Sequence, residues 1–236
     1  RPEPATSQKV FGENLNSGLD KSTDHSMMIE VATHIPSNEW RPDIEKYITC
    51  TSDGIVRAWT STGQPLKSTA SLTGAAAYVL AAAPFSKYNV VAISSNDHRL
   101  RFFSFEPRLR LDLEYDCGDC HAMAVHCFAV HVKANDTADR TSLIAYLVWG
   151  DDRGRLHFVL EDALMEMRSP TATATVHADK VRKGNPKHFS KSLFQGWVTK
   201  IEFLTGLSGC GVLVVASNDG LVVTLDAESW QGLLRF

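Results

Sequence analysis

Cysteine is scarce in this chain, with five in 236 residues, and the number is odd. Disulfide-stapled secreted domains are normally shorter and richer in cysteine, so we expect free thiols in a reducing compartment. Long apolar runs are missing as well, since Ala75 to Phe85 is far too short to cross a bilayer. No segment with the pattern of a secretory signal opens the sequence, so we expect a cytoplasmic protein with no membrane partner.

An excess of charge of either sign is also missing. The formal net charge is -3 and the isoelectric point is about 6.3, which gives no reason to expect a nucleic-acid partner. The sequence contains no Gly-x-Ser-x-Gly, no phosphate-binding glycine loop and no His-Glu-x-x-His. We therefore expect no catalytic residues, no cofactor, no metal and no enzymatic activity.

What the sequence does contain is a layout that occurs four times. An apolar, β-branched run is followed by a small polar cluster with Asp, and then by a second alternating run. Six residues after each Asp comes a large apolar residue. The four segments are YITCTSDGIVRAW (47–59), VVAISSNDHRLRFF (90–103), AYLVWGDDRGRLHF (145–158) and VLVVASNDGLVVTL (212–225).

Each segment has the pattern of a β-hairpin, because small polar clusters favour tight turns and period-two alternation is typical of half-buried strands. Further strands are predicted on both sides, with Leu164 to Arg168 as a weak fourth strand of the third unit. The prediction is an all-β chain: a β-propeller fragment of about four antiparallel four-stranded blades, whose ring this segment alone does not close. An extended leader (1–24) precedes blades at 25–70, 71–116, 117–168 and 196–236.

The first unit resembles the WD40 family. Asp24-His25 is similar to the family's Gly-His, and SDGIVRAW (52–59) to its turn Asp and strand Trp. The resemblance implies a buried network in which His25, Thr49 or Thr51, Asp53 and Trp59 lock the turn. The other units match less well, although His121 is placed like His25. The complete set of predicted blade-turn residues is His25, Asp53, Trp59, Asp97, Phe103, His121, Asp152, Phe158, Asp219 and Leu225.

A long insertion, 169–195, separates the third predicted blade from the fourth, and its second half is basic. One interpretation is a surface that binds an acidic partner. The other is a solvated loop without a specific role. The candidate partner-binding residues are Lys180, Arg182, Lys183, Lys187 and Lys191.

The run Cys117-Gly118-Asp119-Cys120-His121 matches the pattern of covalent haem attachment and is also half of a zinc site. Both interpretations lack context, because the run lies at a predicted turn between two blades. The favoured interpretation is two thiols and a histidine at the start of a blade.

The middle of the chain resembles the large WD-repeat proteins of cilia and flagella, many of which carry EF-hands before two tandem propellers. The most specific matches are WGDDRGRLHF (149–158) and QGWVTKIEF (195–203). The resemblance implies a non-catalytic scaffold of the axoneme, a cytoskeletal location, and other proteins of a large assembly, such as axonemal proteins or tubulin, as partners. The alternative is a WD40 adaptor of another complex, such as a ubiquitin-ligase substrate receptor or a ribosome-assembly factor.

Overall fold

The chain folds as an all-β protein with one short helix among its described residues. No helix in the described part of the chain is long and apolar enough to cross a membrane. The computed structural model describes residues 28–35, 45–72, 78–85, 87–105, 108–133, 141–167, 174–177, 188–205 and 211–236.

The strands form four sheets that follow one another along the chain, each with four antiparallel strands, and the second has one further, parallel strand. The first sheet contains β1 (Ile29–Ile35), β2 (Lys46–Thr51), β3 (Ile55–Thr60) and β4 (Pro65–Ser71). The second contains β5 (Val79–Pro84), β6 (Val90–Ser95), β7 (Arg99–Ser104) and β8 (Arg110–Asp116). The third contains β9 (Ala122–Lys133), β10 (Thr141–Asp151), β11 (Arg155–Leu160) and β13 (His188–Ser192). The fourth contains β14 (Val198–Thr205), β15 (Gly211–Ser217), β16 (Val222–Asp226) and β17 (Gly232–Arg235).

The third sheet differs from the sequence prediction in its fourth strand. The predicted strand Leu164 to Arg168 is wrong, because helix α1 (Glu161–Met165) occupies this part of the chain. The edge strand is β13, which lies inside the predicted insertion. The same insertion supplies β12 (Ala174–His177), which pairs in parallel with β8 of the second sheet. The segment between the third and fourth sheets therefore extends two sheets.

Helix α1 joins the third sheet to the second. The Asp162 carboxylate accepts hydrogen bonds from Lys87 Nζ at 2.8 Å and from the Tyr88 hydroxyl at 2.7 Å. Glu161 Oε2 accepts the backbone N–H of Lys87 at 3.2 Å. Because Lys87 and Tyr88 belong to the loop between β5 and β6, these contacts fix the helix against the neighbouring sheet.

The central hairpin of each sheet turns about one residue, which we call the turn centre. Strand pairing places the turn centres at Asp53, Asp97, Arg153 and Asp219. The residue after each turn centre has a positive φ. These residues are Gly54, His98, Gly154 and Gly220, with φ of 74, 64, 73 and 84°. Three glycines at this position follow from their freedom to adopt the left-handed region.

The number of residues between a side chain and its turn centre determines which neighbouring sheet that side chain packs against. In the second sheet, Ala92, Leu100 and Phe102 stand at odd distances and pack toward the third sheet. Val91 and Phe103 stand at even distances and pack toward the first sheet. The third sheet repeats this arrangement, and the fourth packs its even-distance residues toward the third, since side chains alternate along a strand. Each core cluster therefore lies between two successive sheets, as in a stack of propeller blades.

Candidate functional site

The turn of the first sheet carries a small polar network. The Thr51 hydroxyl donates to Asp53 Oδ1 at 2.5 Å, and Arg57 donates to the same hydroxyl at 3.1 Å. Nearby, Trp59 Nε1 donates to Thr49 Oγ1 at 2.9 Å inside the protein. Trp59 and Thr49 thus form one buried pair and Thr51, Asp53 and Arg57 a separate group with an exposed Asp53, while His25 lies outside the described residues.

The second sheet has a stronger form of the same network. The Arg101 guanidinium is fully buried and donates to the Asp97 carboxylate, to Ser95 Oγ at 2.5 Å and to Glu114 Oε1 at 2.9 Å. Burial by itself raises the pKa of Asp97, but the hydrogen bonds from Arg101 and Ser95 bring the pKa below its usual value. The buried cation is thus held by two carboxylates.

In the third sheet the acid stands at a different place. Asp151 lies two residues before the turn centre, where the first two sheets have Thr51 and Ser95, and His157 stands where they have arginine. Asp151 Oδ2 and His157 Nε2 are 2.9 Å apart, and both side chains are 1% exposed. The backbone N–H groups of Arg153 and Arg155 donate to Asp151 Oδ1 at 2.9 and 2.8 Å.

This arrangement corrects the predicted register of the third repeat. The sequence prediction aligned Asp152 and Phe158 with the other turns, but the pairing of Gly150 with Leu156 makes Arg153 the turn centre. Asp152 instead accepts the backbone N–H of His121 at 3.2 Å. Phe158 is fully buried, but it packs toward the fourth sheet, whereas the equivalent of Phe103 is Val159.

Cys120 completes a buried constellation with this pair. Its Sγ atom and the ligand atoms of Asp151 and His157 all lie within 4.8 Å of one another. The Cys120 thiol donates to the carbonyl oxygen of Cys117 at 3.1 Å, and the His157 ring stacks on Trp149 with centroids 4.9 Å apart. These are side chains that bind transition metals. The sequence motif pointed to Cys120, but its partners come from the hairpin and not from the motif.

The other cysteines of the described chain are free thiols in apolar surroundings. Burial raises the pKa of Cys50 to about 12 and raises that of Cys127 well above its usual value. Since the thiolate is the reactive form, these two thiols are chemically inert. Cys120 differs from them in having a carboxylate and an imidazole beside its sulfur.

His121 is separated from the constellation and pairs with another histidine. Its ring stacks on that of His98 with centroids 3.9 Å apart. His98 occupies the left-handed position after the second turn centre, so the contact joins the second turn to the start of the third sheet. His121 therefore lies at the start of its sheet, as the sequence predicts for this residue.

The remaining turn residues lie in the fourth sheet. Asp219 accepts the backbone N–H groups of Leu221 at 3.3 Å and of Gly196 at 3.4 Å, which closes the turn. Six residues later, Leu225 is fully buried in the cluster shared with the third sheet. Both residues therefore have structural surroundings.

Most of the predicted basic surface cannot be placed. Lys180, Arg182, Lys183 and Lys187 lie outside the described residues. Lys191 stands on β13, where its ammonium donates to the carbonyl oxygen of Trp230 at 2.6 Å. This hydrogen bond ties the edge of the third sheet to the fourth, so Lys191 has a structural contact whatever else it binds.

The fourth sheet leaves one face open among the described residues, where valines stand beside Thr224 and the Lys200–Glu202 ion pair. Its residues Val214 and Val222, at odd distances from the turn centre, are half-buried, whereas their equivalents in the second and third sheets are fully buried: Ala92, Leu100, Val148 and Leu156. Leu204 and Leu234 pair with residues of this face and are 56% and 59% exposed. Exposed leucines beside polar residues are typical of an interaction surface.

Two comparisons of this chain with known proteins found no match. No protein-family model matches it, and no curated protein matches it either.

Proposed function

We propose that this protein is a non-catalytic WD40-type propeller scaffold that binds other proteins in a large assembly, and that the assembly is the ciliary or flagellar axoneme. The open face of the fourth sheet carries the proposal. In the two preceding sheets the same face is covered by the next sheet. We therefore expect this face of the fourth sheet to be covered as well. A partner with an apolar surface supplies that cover.

Two further features support a binding role. Strand β17 is the outer strand of the fourth sheet, and its four residues are all exposed. Unpaired strand edges accept extended segments of other chains through backbone hydrogen bonds. The likeness of WGDDRGRLHF and QGWVTKIEF to the large cilia- and flagella-associated WD-repeat proteins supports the axonemal location.

The test places a charge on the open face. Leu234→Lys puts an ammonium on the open face, next to Thr224 of β16, where it opposes burial against an apolar partner. Tyr78→Lys is the matched control, because Tyr78 is also 60% exposed and lies at the second sheet. Circular dichroism of the 236-residue variants checks that both fold like the wild type.

The readout is retention on detergent-extracted axonemes, with the tagged protein expressed in a ciliated cell. We expect the wild type and Tyr78→Lys to stay with the axoneme and Leu234→Lys to be released. A wild-type protein that is absent from axonemes contradicts the axonemal location. Equal retention of the two variants contradicts the role of the open face.

A further inference from the structure

The buried constellation at the third turn has a composition that its neighbours lack. Its three residues offer a thiol, a carboxylate and an imidazole, the ligand types that zinc selects in proteins. We propose that Cys120, Asp151 and His157 form a binding site for a zinc-like divalent cation between the second and third sheets.

The distances suit such an ion. Tetrahedral zinc, with bonds of about 2.0–2.3 Å, holds its ligand atoms roughly 3.3–3.6 Å apart. Asp151 Oδ2 and His157 Nε2 share a hydrogen bond at 2.9 Å, somewhat closer than this spacing, and one ligand atom from each of the three residues lies within 4.8 Å of the others. Bonding distance requires the Asp151 and His157 atoms to separate slightly and the Cys120 sulfur to move closer.

The repeated hairpins provide an internal comparison. The position of Asp151 is occupied by Thr51, Ser95 and Ser217 in the other sheets. The position of His157 is occupied by Arg57, Arg101 and Val223, and two residues before the fourth sheet Gly196 stands where Cys120 stands before the third. Arginine stays protonated and cannot ligate a metal. The third turn alone therefore combines three ligating side chains.

The charges of the three side chains and the contacts that orient them also fit a bound cation. A thiolate, a carboxylate and a neutral imidazole together balance a divalent charge, so the loaded site carries no net charge into the interior. Two backbone N–H groups orient Asp151 through its other oxygen, and the Trp149 ring restricts the plane of His157. Outer contacts of this kind orient the ligands of protein metal sites.

The location gives the ion a structural role. Cys120 belongs to the connection between β8 and β9, whereas Asp151 and His157 belong to the β10–β11 hairpin. A shared cation fastens that connection to the hairpin, at the core cluster between the second and third sheets. Binding would release the thiol proton and stabilise the folded state.

Cobalt is a sensitive probe because a cobalt–thiolate bond absorbs light in the near ultraviolet. The 236-residue chain is produced in medium supplemented with Co²⁺, and its absorption and metal content are measured. We expect one metal per chain, the thiolate charge-transfer band, and loss of both in Cys120→Ser and His157→Arg. The second variant places arginine where the first two hairpins carry Arg57 and Arg101, which contact Thr51 and Ser95 at the position of Asp151, so it removes the ligand with a residue that this hairpin position accommodates.

Cys117→Ser is the matched control, since Cys117 shares the sequence motif but is not one of the three ligands. It should keep the cobalt band and the metal content. If the ligand variants do not fold, mass spectrometry of wild-type protein after alkylation with and without Zn²⁺ gives the answer, because zinc should protect Cys120. A wild type without bound metal overturns the proposal, as does a band that survives Cys120→Ser or disappears in Cys117→Ser.

Discussion

Arg101 illustrates what single residues do in this chain. Its guanidinium is completely buried, and the Asp97 and Glu114 carboxylates balance its charge. A buried pair of this kind adds little net stability when it is compared with an apolar pair, but removing one partner leaves an uncompensated charge in the interior. The second turn therefore depends on Asp97 more than its partly exposed position suggests.

Asp97→Ala should lower the free energy of unfolding by about 3 kcal/mol, the lower end for a broken buried pair, because Glu114 still pairs with Arg101. Urea denaturation of the purified chain measures this loss. Asp119→Ala is the control, since Asp119 pairs with Arg153 on the surface and its side chain is 82% exposed. A loss at Asp97 no larger than that at Asp119 would contradict the buried network.

Acid should weaken the same network. The folded pKa of Asp97 lies below its usual value of about 3.9, so the unfolded chain binds the proton more readily. Its contribution to stability is present above about pH 4 and is lost as the pH falls through the folded pKa. Asp97→Asn should therefore lose less stability than the wild type below about pH 4. Urea denaturation at a series of pH values tests this, and parallel curves would refute it.

At the scale of the element, the hairpin is the unit that the sequence predicts best. Period-two alternation and polar turn clusters located β2–β3, β6–β7, β10–β11 and β15–β16, because these signals are local. The third register was misplaced because Asp151 and Asp152 are adjacent, and Phe158 gave the wrong alignment an apolar match. Aligning on Gly54, Gly154 and Gly220 gives the observed register, so the better signal was the backbone requirement and not the acid.

The third sheet's edge strand could not be predicted in the same way. Strand β13, with the sequence HFSKS, is short and polar, and its basic surroundings favoured a loop. Its place is determined by pairing with β11 across a long connection, and a contact of this kind leaves no local pattern. For the same reason, the sequence motif indicated only Cys120 of the three clustered residues. Asp151 and His157 reach Cys120 only through tertiary packing.

Two glycines at the same hairpin position allow a test of this element. Gly220→Ala should cost about 1–2 kcal/mol, because its φ is positive and nothing lies near an added methyl group. Gly154→Ala should cost clearly more, since the methyl group would also collide with the backbone oxygen of Phe194. Thermal unfolding of both variants compares them directly. Equal losses would mean that the β10–β11 turn does not pack against this backbone.

For the whole molecule, the described core consists of three clusters in sequence, each shared by two successive sheets. Stacked units of this kind have stabilities that depend mainly on nearest neighbours. A substitution that destabilises one interface between sheets should therefore increase local unfolding only near that interface. This property suits a scaffold, because one part of the stack can change to fit a partner while distant sheets stay folded.

Leu213→Ala tests this arrangement at the interface of the third and fourth sheets. Leu213 is fully buried in their shared cluster, so a loss of about 2–5 kcal/mol is expected there. Amide hydrogen exchange should become faster in β9–β11 and β14–β17 and stay unchanged in β1–β4, because local openings follow local packing. Ile93→Ala, in the cluster of the first and second sheets, should give the reverse pattern. Uniformly faster exchange in both variants would show a single cooperative unit, and the stack would then not unfold sheet by sheet.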